Sequence, residues 1–154
     1  MSRFGFKKPR IYPPIWFLIV LLAMFALNRW LPLLELNQPM TSWLSWLLFV
    51  PGFAIILNPV RAFKRVNTGA IPFSQSTHLV TTGMYRFTRN PMYLGMALIL
   101  AATALKMGSL GGWIPIPLFI AVIHHQFVRN EEIFLTAIYG DDYRNYCKRV
   151  RRWI

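Results

Sequence analysis

Four long apolar runs, separated by clusters of basic residues, constrain this chain more than any other feature of its sequence. Crossing ~30 Å of hydrocarbon takes about 20 apolar residues in a helix that rises about 1.5 Å per residue. The segments 14–34, 42–60, 92–105 and 113–128 approach that length. A hydrophobic fraction of 55% lies above the roughly 45–50% usual for soluble domains, so lipid is the natural solvent. The expected fold is all-α: an integral membrane protein of about four transmembrane helices forming one domain over residues 1–154.

The runs differ in ways that predict local structure. The second contains Pro51 and Gly52, which in lipid read as a kink covered by neighbouring helices, not as an end. The third is short and is followed by Lys106, Gly108, Gly111 and Gly112, while the fourth opens with Pro115 and Pro117. Breakers placed between two apolar runs predict a tight helical hairpin of spans three and four. The basic amino terminus before the first run superficially resembles a secretory leader. No small-residue cleavage site follows it, so the first run reads as an uncleaved helix.

Topology follows from charge, because cytoplasmic loops hold an excess of Lys and Arg. Arg3, Lys7, Lys8 and Arg10 precede the first span; Arg61, Lys64, Arg65, Arg86 and Arg89 lie between the second and third; Arg129, Arg144, Lys148, Arg149, Arg151 and Arg152 follow the fourth. The other side offers only Lys106 and Arg29, which can snorkel. Both termini and the loop 61–91 are therefore expected in the cytoplasm, with the chain in the inner, cytoplasmic membrane. The net charge of +12 is spread between apolar runs, which suits anionic lipid headgroups and does not suit nucleic acid.

The tail reads as a helix with Glu131 and Glu132 in its first turn, a stop at Gly140, and a restart capped by Asp141 or Asp142. In its second piece Tyr143, Tyr146 and Val150 share one face, the pattern of an amphipathic helix lying on a membrane surface. Cys147 is the sole cysteine, so no internal disulfide forms. His124 and His125 are adjacent, without the i, i+4 partner that a helical zinc site wants, so no metal is expected.

The most informative stretch is Leu79-Val-Thr-Thr-Gly-Met-Tyr-Arg-Phe-Thr-Arg-Asn-Pro-Met-Tyr-Leu-Gly95. Together with Glu131-Glu132, Gly140-Asp141-Asp142-Tyr143 and Arg149-Val150-Arg151-Arg152-Trp153, it resembles the signature of isoprenylcysteine carboxyl methyltransferases, phospholipid methyltransferases and their bacterial relatives. Order and spacing agree from Thr77 to Trp153, and the first two spans agree only in being hydrophobic. The resemblance implies that S-adenosylmethionine is the methyl donor and that it lies within 77–154, between the segment leading into span three, the hairpin and the tail. Carried over, Leu79, Val80 and Tyr85 line the cofactor, Asn90, Pro91, Met92 and Tyr93 contact it, and Glu131 binds a polar part of it. His78, one position nearer Gly83-Met84-Tyr85 than the family histidine, joins that set. Asn90 stands where the eukaryotic enzymes have histidine, and it hydrogen-bonds without titrating.

Methyl transfer needs alignment and exclusion of water more than covalent machinery. Tyr85 and Tyr93 can favour a sulfonium through cation–π attraction, and Glu131 can pair with an ammonium or a ribose. A carboxylate acceptor needs only a positioner such as Arg129; an amine acceptor needs a base, for which Glu132 or His125 is available. The same residues also suit plainer roles. The tyrosines fit an interfacial aromatic belt, the arginines fit positive-inside flanks, and the glutamates fit the start of a helix dipole. The expectation is methyl transfer to a lipophilic acceptor, with O-methylation of a carboxylate ahead of N-methylation of a phospholipid headgroup. The contrasting alternative is a non-catalytic membrane scaffold.

Overall fold

The computed structural model describes residues 11–31, 33–35, 38–65 and 79–154, with the backbone alone for 59–65. Helix α1 spans Pro13–Trp30, α2 Gln38–Arg65, α3 Pro91–Met107 and α4 Pro115–Ile123. A π-helical turn, His124–Val128, carries α4 without a break into α5, Arg129–Tyr139, and α6 follows at Asp141–Arg149. Helices α1, α3 and α4 each begin with proline. That residue suits a first turn, where its missing N–H would have had no partner in any case.

Three stretches, Pro13–Trp30, Pro39–Asn58 and Leu110–Tyr139, are long and apolar enough to cross a membrane, and α3 is a shorter apolar helix. Only 17% of each of the first two windows is buried inside the protein. Leu18, Leu22 and Phe25 on α1 and Trp43, Leu47 and Val50 on α2 point outward, and this apolar exterior is that of an integral membrane protein.

Lipid tails are as apolar as leucine, so helices in a membrane associate by close packing and not by expelling water. Helix α2 packs along α3, whereas α1 packs on α3 and α4. The α2–α3 crossing is tight because two glycines meet there. A Cβ on Gly95 would lie 2.5 Å from Ile56 Cγ1 and 2.7 Å from the Gly52 carbonyl oxygen. Helix α2 runs through Pro51 and Gly52 without ending. Val20, Met24, Leu100, Ala104, Phe119, Ile123 and Phe127 form the core among α1, α3 and α4, with Phe17 edge-on to Phe119 at 6.4 Å.

The expected α3–α4 hairpin is present, joined through Gly108 and a 3-10 turn at Leu110–Trp113. The turn seats against the end of α1. Leu110 N–H donates to the Leu33 carbonyl at 2.8 Å, and a Cβ on Gly111 would lie 2.5 Å from the Leu31 carbonyl oxygen.

Three sequence expectations change here. The fourth helix does not stop at residue 128, so Glu131 and Glu132 follow continuous helix; no unpaired N–H groups face them, and a helix dipole does not account for the pair. The break does fall at Gly140, whose φ of 53° and ψ of −120° suit glycine and few other residues. Helix α6 starts there without a side-chain cap from Asp141 or Asp142. The third change concerns the aromatic face of α6. Tyr143, Tyr146 and Val150 are buried against Leu79, Leu135 and Tyr139, so protein, not lipid, covers the face that the sequence assigned to the membrane surface.

Candidate functional site

Three segments converge at the end of the bundle opposite the hairpin turn: the motif before α3, the α4–α5 helix at and beyond its π turn, and the tail. The motif enters as a 3-10 turn, Gly83–Arg86. Gly83 has a φ of +63°, and any Cβ there would strike Asn58 Oδ1 at 2.5 Å. That same oxygen accepts the Met84 N–H at 3.1 Å, which fastens the turn to α2. From the other side Tyr146 Oη donates to the Tyr85 carbonyl at 2.7 Å. Burial, and then the nearby charge of Glu131, push the Tyr85 hydroxyl well above its ordinary range, so Tyr85 holds its proton beside that carboxylate.

Tyr93 lies in the first turn of α3, buried, with its hydroxyl donating to Glu131 Oε1 at 3.0 Å. Its ring meets Phe127 at 6.4 Å between centroids. Phe127 and Glu131 are four residues apart, a separation that puts both on one helix face. The π turn in which Phe127 sits decides which face that is. One extra residue in a turn rotates everything after it by about 100° relative to an uninterrupted helix, enough to exchange the directions of two adjacent residues. Of the two adjacent glutamates, Glu131 thereby faces α3, and among the described residues no cation pairs with it.

Glu132 has the opposite surroundings. Arg152 grips it with two hydrogen bonds, Nε to Oε1 at 2.8 Å and Nη2 to Oε2 at 2.6 Å. Arg89 Nη1 reaches Oε1 at 3.0 Å and also lies 2.7 Å from Cys147 Sγ. The tail then runs beside the motif: Thr88 pairs with Arg151 in a parallel β-bridge, and Arg89 N–H donates to the Arg151 carbonyl at 3.0 Å. Thr88 Oγ1 and Asn90 Nδ2 both donate to the Arg152 carbonyl, at 3.3 Å and 2.8 Å. Trp153 packs against the core.

The structure thus brings Tyr85, Tyr93 and Glu131 together, with Asn90 and Pro91 buried at the start of α3. Leu79 packs on the α6 cluster, while Val80 and Met92 are half-buried beside the motif turn and in the first turn of α3. Arg129 is exposed, two residues before Glu131 on α5. His78 lies outside the described residues. Sequence reasoning missed Arg152, Thr88 and Tyr146 as parts of this region. Arg152 sits in a run of basic residues that looks like any headgroup-binding cluster, and only its pairing with Glu132 distinguishes it.

The fold and this end of it define a small helical membrane protein with tyrosines and a carboxylate gathered at one end of the bundle. The phospholipid methyltransferase family matches residues 40–142, well over half of the chain, and the chain belongs to that family. An uncharacterized protein of Haemophilus influenzae is 41% identical over 63 residues, which cover all of that protein and 41% of this chain. The protein-S-isoprenylcysteine O-methyltransferase of Schizosaccharomyces pombe is 31% identical over 72 residues, covering 47% of this chain but only 30% of that enzyme. No solved structure matches.

Proposed function

We propose that this protein transfers a methyl group from S-adenosylmethionine to a lipophilic acceptor at the cytoplasmic face of the membrane, and that the acceptor group is a carboxylate. The observation that carries the reading is the Tyr85–Tyr93–Glu131 cluster. In a chain with 17 basic and five acidic residues, a carboxylate that no cation among the described residues pairs with, beside two tyrosines, suits a cationic ligand. The donor supplies, when bound, an electrophilic methyl on a sulfonium and an ammonium on its amino-acid end.

The residues present fit that group. Glu131 offers the charge to pair with an ammonium or the acceptor atoms to bond a ribose. The tyrosine faces favour a sulfonium by about 0.5–2 kcal/mol. Leu79, Val80, Pro91 and Met92 supply apolar surface that keeps water from the reacting atoms.

Charge also supports an acidic acceptor. Arg86, Arg129 and Arg151 are exposed at this end of the bundle, and they draw in an anionic headgroup and repel an ammonium one. A carboxylate is already ionised near neutral pH and needs no base, only a partner such as Arg129. The concentration of arginine and lysine at this end supports a cytoplasmic position for it and for both termini, in keeping with the positive-inside rule. The second reading, N-methylation of a phospholipid amine, requires a base. Glu132 has both oxygens engaged by guanidiniums, which leaves the exposed His125, or Glu131 in a second role.

The test is incubation of the purified protein, in lipid vesicles, with isotopically labelled donor, a panel of long-chain carboxylic acids and phosphatidylethanolamine. Label in a base-labile ester supports the proposal. Label in the phospholipid amine selects the second reading. No label in either, with no binding of S-adenosylhomocysteine by the folded protein, overturns both and leaves a scaffold. Tyr85→Ala should weaken binding of S-adenosylhomocysteine, and Arg129→Ala should raise the KM for the acceptor while donor binding stays constant.

A further inference from the structure

We infer that Glu132 and Arg152 are positioning residues: the Arg89–Glu132–Arg152 bridge fastens segment 150–153 as a strap across the start of α3, and the strap holds Asn90 and Tyr93 in register for the donor. The inference rests on the donor-binding reading above.

The start of α3 lacks the device that ordinarily fixes a helix end. Asparagine at an N-cap usually accepts a hydrogen bond from a backbone N–H in the first turn. Asn90 occupies that position and makes no such bond. Its amide donates instead to the Arg152 carbonyl, while Thr88 donates to the same oxygen and the Arg89 N–H to the Arg151 carbonyl. Three consecutive motif residues therefore commit donors to two consecutive carbonyls of the tail. Tyr93, three residues beyond Asn90, carries the hydroxyl that meets Glu131. Whatever shifts the strap shifts the start of α3 and so that tyrosine.

Two anchors keep the strap in place. Trp153 packs against the core on one side, and the Arg152 guanidinium clasps Glu132 on the other. The bridge is asymmetric: the Arg152 side chain is 40% exposed and that of Arg89 14%, so Arg152 is the outer clasp and Arg89 the inner one. Removing Arg152 leaves a neutral Arg89–Glu132 pair. Removing the charge of Glu132 leaves two guanidiniums facing each other without a counter-ion, which loosens the strap more.

The experiment uses the full chain in detergent, with Glu132→Gln, Arg152→Gln, Arg152→Lys and, as a control on the tail helix α6 that precedes the strap, Arg144→Gln, whose ion pair with Asp141 is exposed. Amide hydrogen exchange at Arg89 reports the strap directly, and the Kd for S-adenosylhomocysteine reports its consequence. Exchange at Arg89 should quicken in Glu132→Gln and, by less, in Arg152→Gln. The Kd should weaken about tenfold alongside, the size of one lost charged hydrogen bond. Arg152→Lys should recover part of both, and Arg144→Gln should change neither. Glu131→Gln should weaken binding while Arg89 exchange stays at the wild-type rate. Unchanged exchange in both Glu132→Gln and Arg152→Gln overturns the strap, and faster exchange with an unchanged Kd overturns its positioning role. If the wild-type protein binds no S-adenosylhomocysteine, the donor reading falls, together with the role assigned to the strap in it, and the exchange measurement still decides whether the bridge fastens the tail.

Discussion

At the hairpin end of the bundle, the α3–α4 turn is held to the end of α1 by backbone hydrogen bonds, a glycine and small polar side chains. At the opposite end, the motif, α5 and the tail are held by two arginines converging on one glutamate, by tyrosine hydroxyls and by tail carbonyls. The first arrangement is what packing in lipid favours, since it places almost no charge near the hydrocarbon. The second removes charges from water, and a partly buried ion pair is a weak source of stability once its desolvation is counted. A chain that closes one end cheaply and the other with arginines and glutamates is using the second end for something besides folding. Within that end the contrast repeats between neighbours: among the described residues Glu132 is engaged by two cations, and Glu131 by the Tyr93 hydroxyl and no cation.

Four substitutions test this division, in falling order of expected effect. Gly111→Val forces a side chain onto the Leu31 carbonyl, a backbone atom that cannot swing aside. A loss of about 3 kcal/mol in stability, the upper part of the overpacking range, should appear in thermal unfolding, with S-adenosylhomocysteine affinity of the folded fraction unchanged. Glu131→Gln should do the reverse, weakening that affinity by roughly 10–100-fold, or about 1.5–3 kcal/mol, with little change in Tm. If each variant altered both properties, the ends would not be separable. Tyr93→Phe keeps the ring against Phe127 and removes the hydroxyl; about 1 kcal/mol, roughly fivefold in affinity, is expected by isothermal titration. Arg144→Ala breaks an exposed pair and should shift stability by less than about 0.5 kcal/mol in denaturant titration; a larger change would give the exposed tail charges a structural part that the comparison denies them.

Much of this was legible beforehand. Hydropathy placed the four helices and the breakers placed the hairpin, because a helix in lipid must satisfy its own backbone and be apolar along its length. The motif from Leu79 to Gly95 and the acidic pair, far apart in the chain, do meet at one end of the bundle. What could not be read was the role of each member. Nothing in Glu131-Glu132 distinguishes the two residues, and the π turn that separates their directions has no signature in His124–Val128. The face formed by Tyr143, Tyr146 and Val150 was visible as a periodicity, but its partner was not, since the same pattern suits lipid or protein. Arg152 was visible only as one more basic residue.

The sequence by itself thus determined the solvent, the helices and the chemistry available at one end, since these follow from composition and local spacing. Tertiary structure alone decided which glutamate, among the described residues, stays free of cations, which arginines pair with the other, and what the tail covers. Those outcomes depend on helix phase and on segments some 60 residues apart in the chain, such as Asn90 and Arg152, meeting in space.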